Sequence, residues 1–383
     1  MTRLRENDMT WDATINAAVQ AYLDAQYDRA ESLLFAALET AKIFGPGNPR
    51  LSTSLRALGI VYEAMGQYAE SEQLFRQALD ILEQTKARDS LEGAAALANL
   101  GGICFVLGRY GEAEKTAEMA LALYDHMKGE HEVNYAKALD VCADAAMLRG
   151  LYSVARRSVE HSTAVRQKTV GQTHLTMAQS HSRAAELLIL EGQPAQAEPY
   201  LEQALAIHQR ACHGEHPLIA QSLNALGRLR QLQGRTHEAV SLHREALRLQ
   251  DRSLDPKHPE RATTLELLAK ATVAIGEPGE AEPLAEEALG ILEERLGADH
   301  LRVADALFTF AELRARQARR TEALAHCRRA LSIVTLVLGT RHPRIAGHLD
   351  DYSAILHSAD QVRAEALTSA PSSPRSTRSS SSF

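Results

Sequence analysis

The chain has 383 residues, 45% of them apolar and 5% aromatic, with a formal charge of −7. Such a composition fits a soluble globular protein with room for two ordinary domains or one elongated one. Its negative balance excludes a nonspecific nucleic-acid binder, which needs a basic field. A core with so few aromatics must be built from Ala and Leu, which suits closely packed helices. The stretch from Met1 to Met9 is polar and charged, unlike a signal peptide. No apolar run approaches the ~18 residues of a membrane span. Cys104, Cys142, Cys212 and Cys327 are scattered and form no CxxC pair. They predict a reduced, cytoplasmic setting without a disulfide framework, metal site or cofactor.

In chain order, residues 1–10 read as a disordered N-terminus. Helix–turn–helix units then recur near 11–44, 49–87, 90–128, 132–170, 174–212, 216–254, 258–296 and 300–338. Their turns carry Gly66, Gly108, Gly150, Gly192, Gly234 and Gly276, each 42 residues after the last, with Ala318 next and Ala25 one residue short of the period. Glycine suits the left-handed position that ends a helix. A capping helix is expected over 343–358, closing the apolar face of the last unit. The serine-rich end, 359–383, is too poor in apolar residues to pack and reads as disordered. Ser373-Pro374 and the serines around Arg375 and Arg378 offer phosphorylation sites there.

Small residues recur in three further columns. One runs Ala18, Gly59, Gly101, Ala143, Ala185, Gly227, Ala269 and Ala311. The second is Ala30, Ser71, Ala113, Ala155, Ala197, Ala239, Ala281 and Ala323. The third is Ala37, Ala78, Ala120, Ser162, Ala204, Ala246, Ala288 and Ala330. Such columns mark places where two helix backbones approach closely. Gly101-Gly102 belongs to them rather than to a phosphate loop. Pro194 and Pro278 suit the start of a second helix. Pro199 and Pro283, about a turn later, predict a loose or late start in those two units. The loops carry His174, His216, His258, His300 and His342, again 42 apart. One histidine per unit cannot converge on one metal, so these read as caps of the following helices. His213 with His216 lacks a nearby third ligand. Cys104, Cys142 and Cys327 fall in packing columns, which leaves Cys212 as the candidate exposed thiol.

These motifs carry a resemblance. Leu223-Asn224-Ala225-Leu226-Gly227, Leu58-Gly59-Ile60-Val61-Tyr62 and the stretch from Gly66 to Leu79 across a turn resemble tetratricopeptide repeats, in the 42-residue variety of kinesin light chains. The resemblance covers about 11–358 and is specific for fold. It implies an all-α, α-α superhelix: a solenoid of about eight repeats and a capping helix. It also implies a concave groove, lined by the free faces of the first helices, that holds a peptide or helix of another protein. No heptad segment precedes the repeats, so binding to a kinesin heavy chain is not implied.

On these faces the candidate binding residues are Arg56, Phe105, Lys137, Asp140, Asp144, Gln179, Glu186, Gln221, Asn224, Arg228 and Lys270. The lining reads apolar in repeats one to three, through Ile15, Val19, Tyr22, Ile60 and Phe105. It reads acidic around Asp140, Asp144 and Glu186, and mixed around Arg228 and Lys270. Asn224, Arg228 and Lys270 match only loosely the basic clamp for chaperone C-termini. No residues converge as a catalytic site requires, and no GxxxxGK[ST], HExxH or GxSxG motif is present. The reading is a cytoplasmic, non-enzymatic adaptor that binds a protein or peptide and neither nucleic acid nor membrane. Two alternatives are a sensor solenoid closing on a small molecule or signalling peptide, and a self-associating structural protein.

Overall fold

In the computed structural model the described residues are 2–127, 133–212 and 214–340, with positions 342, 345, 349 and 353 beyond them. They form sixteen α-helices. The pairs are α1 (Thr2–Leu23) with α2 (Tyr27–Ile43), α3 (Pro49–Ala64) with α4 (Tyr68–Gln84), α5 (Leu91–Val106) with α6 (Tyr110–His126), and α7 (Val133–Leu148) with α8 (Tyr152–Val170). Then come α9 (Leu175–Leu190) with α10 (Pro194–Ala211), α11 (Pro217–Leu232) with α12 (Thr236–Ser253), α13 (Pro259–Ala274) with α14 (Pro278–Leu296), and α15 (Leu301–Arg316) with α16 (Arg320–Leu338). The chain is therefore the all-α superhelix that the sequence implies. Of the expected capping helix only 345, 349 and 353 are described, each helical, and the serine-rich tail and His213 lie outside the described residues.

The first helix starts earlier than the periodicity suggests, at Thr2 rather than near residue 11. Thr2 to Thr10 contain no Gly or Pro. Extending an existing helix through such residues costs little once it is nucleated. A second correction concerns the prolines. Helices α10 and α14 begin on schedule at Pro194 and Pro278, and Pro199 and Pro283 lie inside them. Both inner prolines are exposed. The carbonyl each leaves without an N–H partner thus faces water, where it costs least.

Turn and cap chemistry follow the columns. Each turn glycine has positive φ, from 71° at Gly150 to 89° at Gly276. Ala25 and Ala318 adopt the same region, at φ 54° and 59°. Each loop residue accepts a hydrogen bond from the backbone N–H two or three residues on. Asn48 does so from Arg50, Ser90 from Gly93, His216 from Leu218, His258 from Glu260 and His300 from Arg302. In the histidines the acceptor is Nδ1, as it is in His174 towards Thr176, so these four cap the next helix as expected, while the helix start after His342 lies outside the described residues.

The small columns are core. Every member of the two second-helix columns is fully buried. The first-helix column explains itself through a trade of volume with the residue sixteen positions later. A Cβ on Gly59 would meet the Phe75 ring at 2.7 Å, and one on Gly227 would meet His243 at 2.5 Å. Where the first helix has Ala18, Ala185 or Ala311, the partner is Leu34, Leu201 or Cys327, all buried. Large residues here have glycine opposite, and intermediate ones alanine, which keeps density close to that of a crystal. Each Leu so buried stabilises by about 1.5–3 kcal/mol.

First helices of successive repeats approach one another: α3 with α5, α5 with α7, α11 with α13 and α13 with α15. Second helices touch the neighbouring repeat chiefly through its first helix. The first helices therefore lie on the inner side of the curve. Curvature brings distant repeats together. His258 Nε2 lies 3.1 Å from the Ala64 carbonyl and His300 Nε2 3.0 Å from that of Val106, each 194 residues away. His342 Nε2 bonds the Leu148 carbonyl in the same way. A full superhelical turn therefore takes between four and five repeats. Loops of the later repeats rest on the helix ends of the earlier ones.

Candidate binding groove

The inner face is built by residues of the first helices that the packing columns leave free. The structure divides the eleven candidates. Gln179, Glu186, Gln221, Arg228 and Lys270 are exposed. They come from α9, α11 and α13, so the open polar part of the groove belongs to repeats five to seven.

Repeats two to four are bridged. Lys137 of α7 reaches Glu63 of α3 at 3.5 Å, passing over α5. A Cβ on Gly102 would stand 3.2 Å from Lys137 Cε. Gly101 serves helix packing, its Cβ position being 3.2 Å from the Ala113 carbonyl. Gly102 leaves the path of Lys137 clear. Phe105 is half-buried against the core and meets Tyr110 edge-on, centroids 5.0 Å apart. Arg56 is half-buried in α3.

Asp140 is not a groove acid. It is 2% exposed and pairs with Arg166, itself 1% exposed. Arg166 also donates to Ser180 at 2.8 Å, and Arg183 Nη1 approaches Asp140 at 3.1 Å. Asp144 receives Arg183 Nε at 2.9 Å and Nη2 at 3.0 Å. Burial pushes the Asp144 carboxyl up to about 6. Arg183 pulls it back, while Asp140 and Glu186 raise it further. This knot ties α7, α8 and α9 together. The two aspartates read as free acids in the sequence because their partners, Arg166 and Arg183, lie on other helices. Arg166 had a signal: its column holds Leu82, Tyr124, Leu292 and Val334, so a charge there is buried and needs a partner.

Asn224 is also buried. Its Nδ2 donates to Thr264 at 2.6 Å, and its Oδ1 lies 2.9 Å from His243 Nδ1. Burial holds the His243 imidazole down to about 4, with Arg228 adding to the effect. The neutral ring can therefore donate from Nδ1 to Asn224. Glu266, beside Lys270, is held above the ordinary carboxylate range by burial and accepts from Thr309 at 2.7 Å. The loose match of Asn224, Arg228 and Lys270 to a basic clamp does not survive, because Asn224 is occupied within the fold.

The thiols differ from expectation as well. Cys212 is 4% exposed, and Cys142 is the half-exposed one. Burial pushes Cys104 up to about 11 and Cys142 up to about 12, and raises Cys212 too. The helix end that carries Cys212 folds inward, so the column position near a loop was a poor guide. Among the described residues no three His, Cys, Asp or Glu are placed to hold a metal ion. No helix there is long and apolar enough to cross a membrane.

Among solved structures, a Rap protein complexed with competence and sporulation factor aligns at TM-score 0.59 and 14% identity, over 88% of this chain and 100% of its own. The apo form of RapI aligns at 0.52 and 15%, over 74% and 97%. A putative kinesin light chain of Podosopora anserina with nearly identical TPR-like repeats is 25% identical over 55% of this chain and 99% of its own, at TM-score 0.41. The Rap likenesses show the fold alone. No curated protein sequence matches the chain. One tetratricopeptide repeat family model matches residues 12–84, 176–252 and 229–294, which is half of the chain, and a second matches 311–344. With sixteen helices in hairpin pairs and a 42-residue period, the chain belongs to the tetratricopeptide repeat family.

Proposed function

We propose that the chain is a non-enzymatic interaction scaffold that holds a peptide or helix of a partner protein against the first helices of repeats five to seven. One observation carries this reading. Gln179, Glu186, Gln221, Arg228 and Lys270 are exposed on one inner face while the packing columns beneath them stay uniform. A repeat array needs its interior fixed, and its exposed lining is free to specialise. The lining carries one acid, Glu186, followed by two bases, Arg228 and Lys270, which suits a partner segment with a base towards one end and acids towards the other.

The test is affinity capture with mass spectrometry, followed by titration of the captured segment. Such grooves commonly bind near micromolar Kd, about −8 kcal/mol. The triple variant Glu186→Lys, Arg228→Glu, Lys270→Glu is expected to weaken binding at least tenfold with helical circular dichroism unchanged. Unaltered affinity would remove the groove assignment. Asp140 stays out of that variant because it is part of the fold.

The Rap structure with competence and sporulation factor favours a second reading, since the likeness to it spans 88% of this chain. On that reading the solenoid is a sensor that tightens around a signalling peptide. Ligand-dependent compaction in small-angle scattering distinguishes it from a passive scaffold.

A further inference from the structure

Two sets of turns behave differently. A Cβ on Gly66 would meet Pro259 at 2.6 Å and His258 at 2.9 Å, and one on Gly108 would meet His300 at 3.1 Å. The equivalent positions on Gly192, Gly234 and Gly276 have nothing within 4 Å. The early turns are thus covered by the loops of later repeats, and the later turns are open. His216 faces the Leu23 backbone in the same relation, its Nε2 outside the close hydrogen-bond geometry of the other three. Around this seam the Tyr68 hydroxyl meets the Arg302 side chain. Leu296 packs against the core of repeats two to four, and Tyr110 and Leu148 pack against that of repeats seven and eight.

The seam is thin. Among the described residues no helix pair that spans it packs along its length. Beside His300 a cavity of about 260 Å³ separates Leu107 and Gly108 from Leu296, Ala298 and Leu301. The contact is therefore made by side chains and carbonyls at a few points, with an open cleft beside His300. Such a contact can part without unfolding any repeat, because each helix keeps its own hairpin partner and its neighbours.

We propose that His258, His300 and His342 form a releasable latch that holds one superhelical turn against the next and so sets the pitch of the solenoid and the opening of its groove. In His258 and His300 the ring has two tasks. Its Nδ1 caps the helix that follows and its Nε2–H donates across the seam, and the Nε2–H of His342 makes the same crossing bond. Release leaves the cap in place and frees only the second bond. The inference holds whether or not the groove has a partner.

The two tasks are separable by substitution. Asn48 caps α3 in the same loop position, and Asn is too short to reach across the seam. The full chain with His258→Asn and His300→Asn is compared with His174→Asn, an exposed loop histidine whose ring caps α9. The double variant is expected to keep its helical content, to gain radius of gyration in small-angle scattering, and to exchange amide hydrogens in residues 62–67 and 104–109 roughly tenfold faster. His174→Asn is expected to change neither. Unchanged scattering and exchange in the double variant, or equal changes in His174→Asn, would overturn the latch. If the double variant loses helical content, Tyr68→Phe decides, since it cuts a seam contact without touching a cap. Faster exchange at 62–67 supports the latch, and unchanged exchange rejects it.

Discussion

Arg166 of α8 and Asp140 of α7 form an ion pair that water scarcely reaches, 1% and 2% exposed, with Ser180 of α9 as a third member. Removing one partner strands a buried charge, which typically costs about 3–5 kcal/mol. Asp140→Ala is therefore expected to lower stability by that amount in urea unfolding. Repeat three holds Ala98 and Tyr124, both buried, at the corresponding positions. The double variant Asp140→Ala, Arg166→Tyr copies that pair and is expected to recover most of the loss. A double variant less stable than the single one would contradict this account.

The trade of volume between helices gives a second test. Gly227→Ala drives a methyl into the His243 ring and is expected to cost about 1–3 kcal/mol. Ala269 with Ala285 already occupies the same two positions in the next repeat, fully buried or nearly so. Adding His243→Ala to Gly227→Ala should thus relieve the clash, although it forfeits the bond to Asn224. Thermal unfolding of the four-member cycle measures the coupling, which is expected to be favourable.

Ala25 and Ala318 stand where the other turns have glycine, at φ 54° and 59°. An L side chain is strained there. Ala25→Gly and Ala318→Gly are each expected to stabilise by about 0.5–1 kcal/mol, a small gain because glycine also loosens the unfolded chain. A fall in melting temperature for both would show that neighbouring packing outweighs the strain.

Acid should destabilise the chain below pH 6.5. Burial holds His208, His243 and His300 each down to about 4 from an ordinary 6.5. The unfolded chain then binds protons first as pH falls. The stability these rings contribute is complete above 6.5 and is lost towards 4, at roughly 3 kcal/mol for each. Around His300 stand Arg302 and Asp305, and around His258, whose imidazole is also lowered, stand Glu260, Arg302 and Asp255. Asp144 works the other way, since its folded value of about 6 lies above the ordinary 3.8. It disfavours the fold above 6, and that cost is relieved towards 4. Glu266, also held up by burial, acts with Asp144, but two carboxyls against seven lowered imidazoles (His181, His208, His216, His243, His258, His300 and His326) leave a net loss on acidification. A melting temperature that rises between pH 7 and pH 4.5 would refute this balance.

The period made most of the fold legible. Turn residues, caps and small columns lie within one repeat, so a single sequence displays them again and again, and α10 and α14 start at the expected prolines. What failed involved partners outside the unit. Asp140 and Asn224 share register with Gln221 and Arg228, and only the second-helix residues Arg166 and His243 decide that they are buried. The second bond of His258 depends on small rotations summed over several repeats. No local pattern encodes that sum.

The seam also bears on cooperativity. An array whose units touch only their neighbours melts piecewise from its ends. Here the loop before α13 leans on the end of α3, and the loop before α15 on the end of α5. Fraying at the C-terminus therefore withdraws support from the second and third repeats, far away along the chain. Early and late units become mutual braces, and the ends lose the independence that a linear stack would give them.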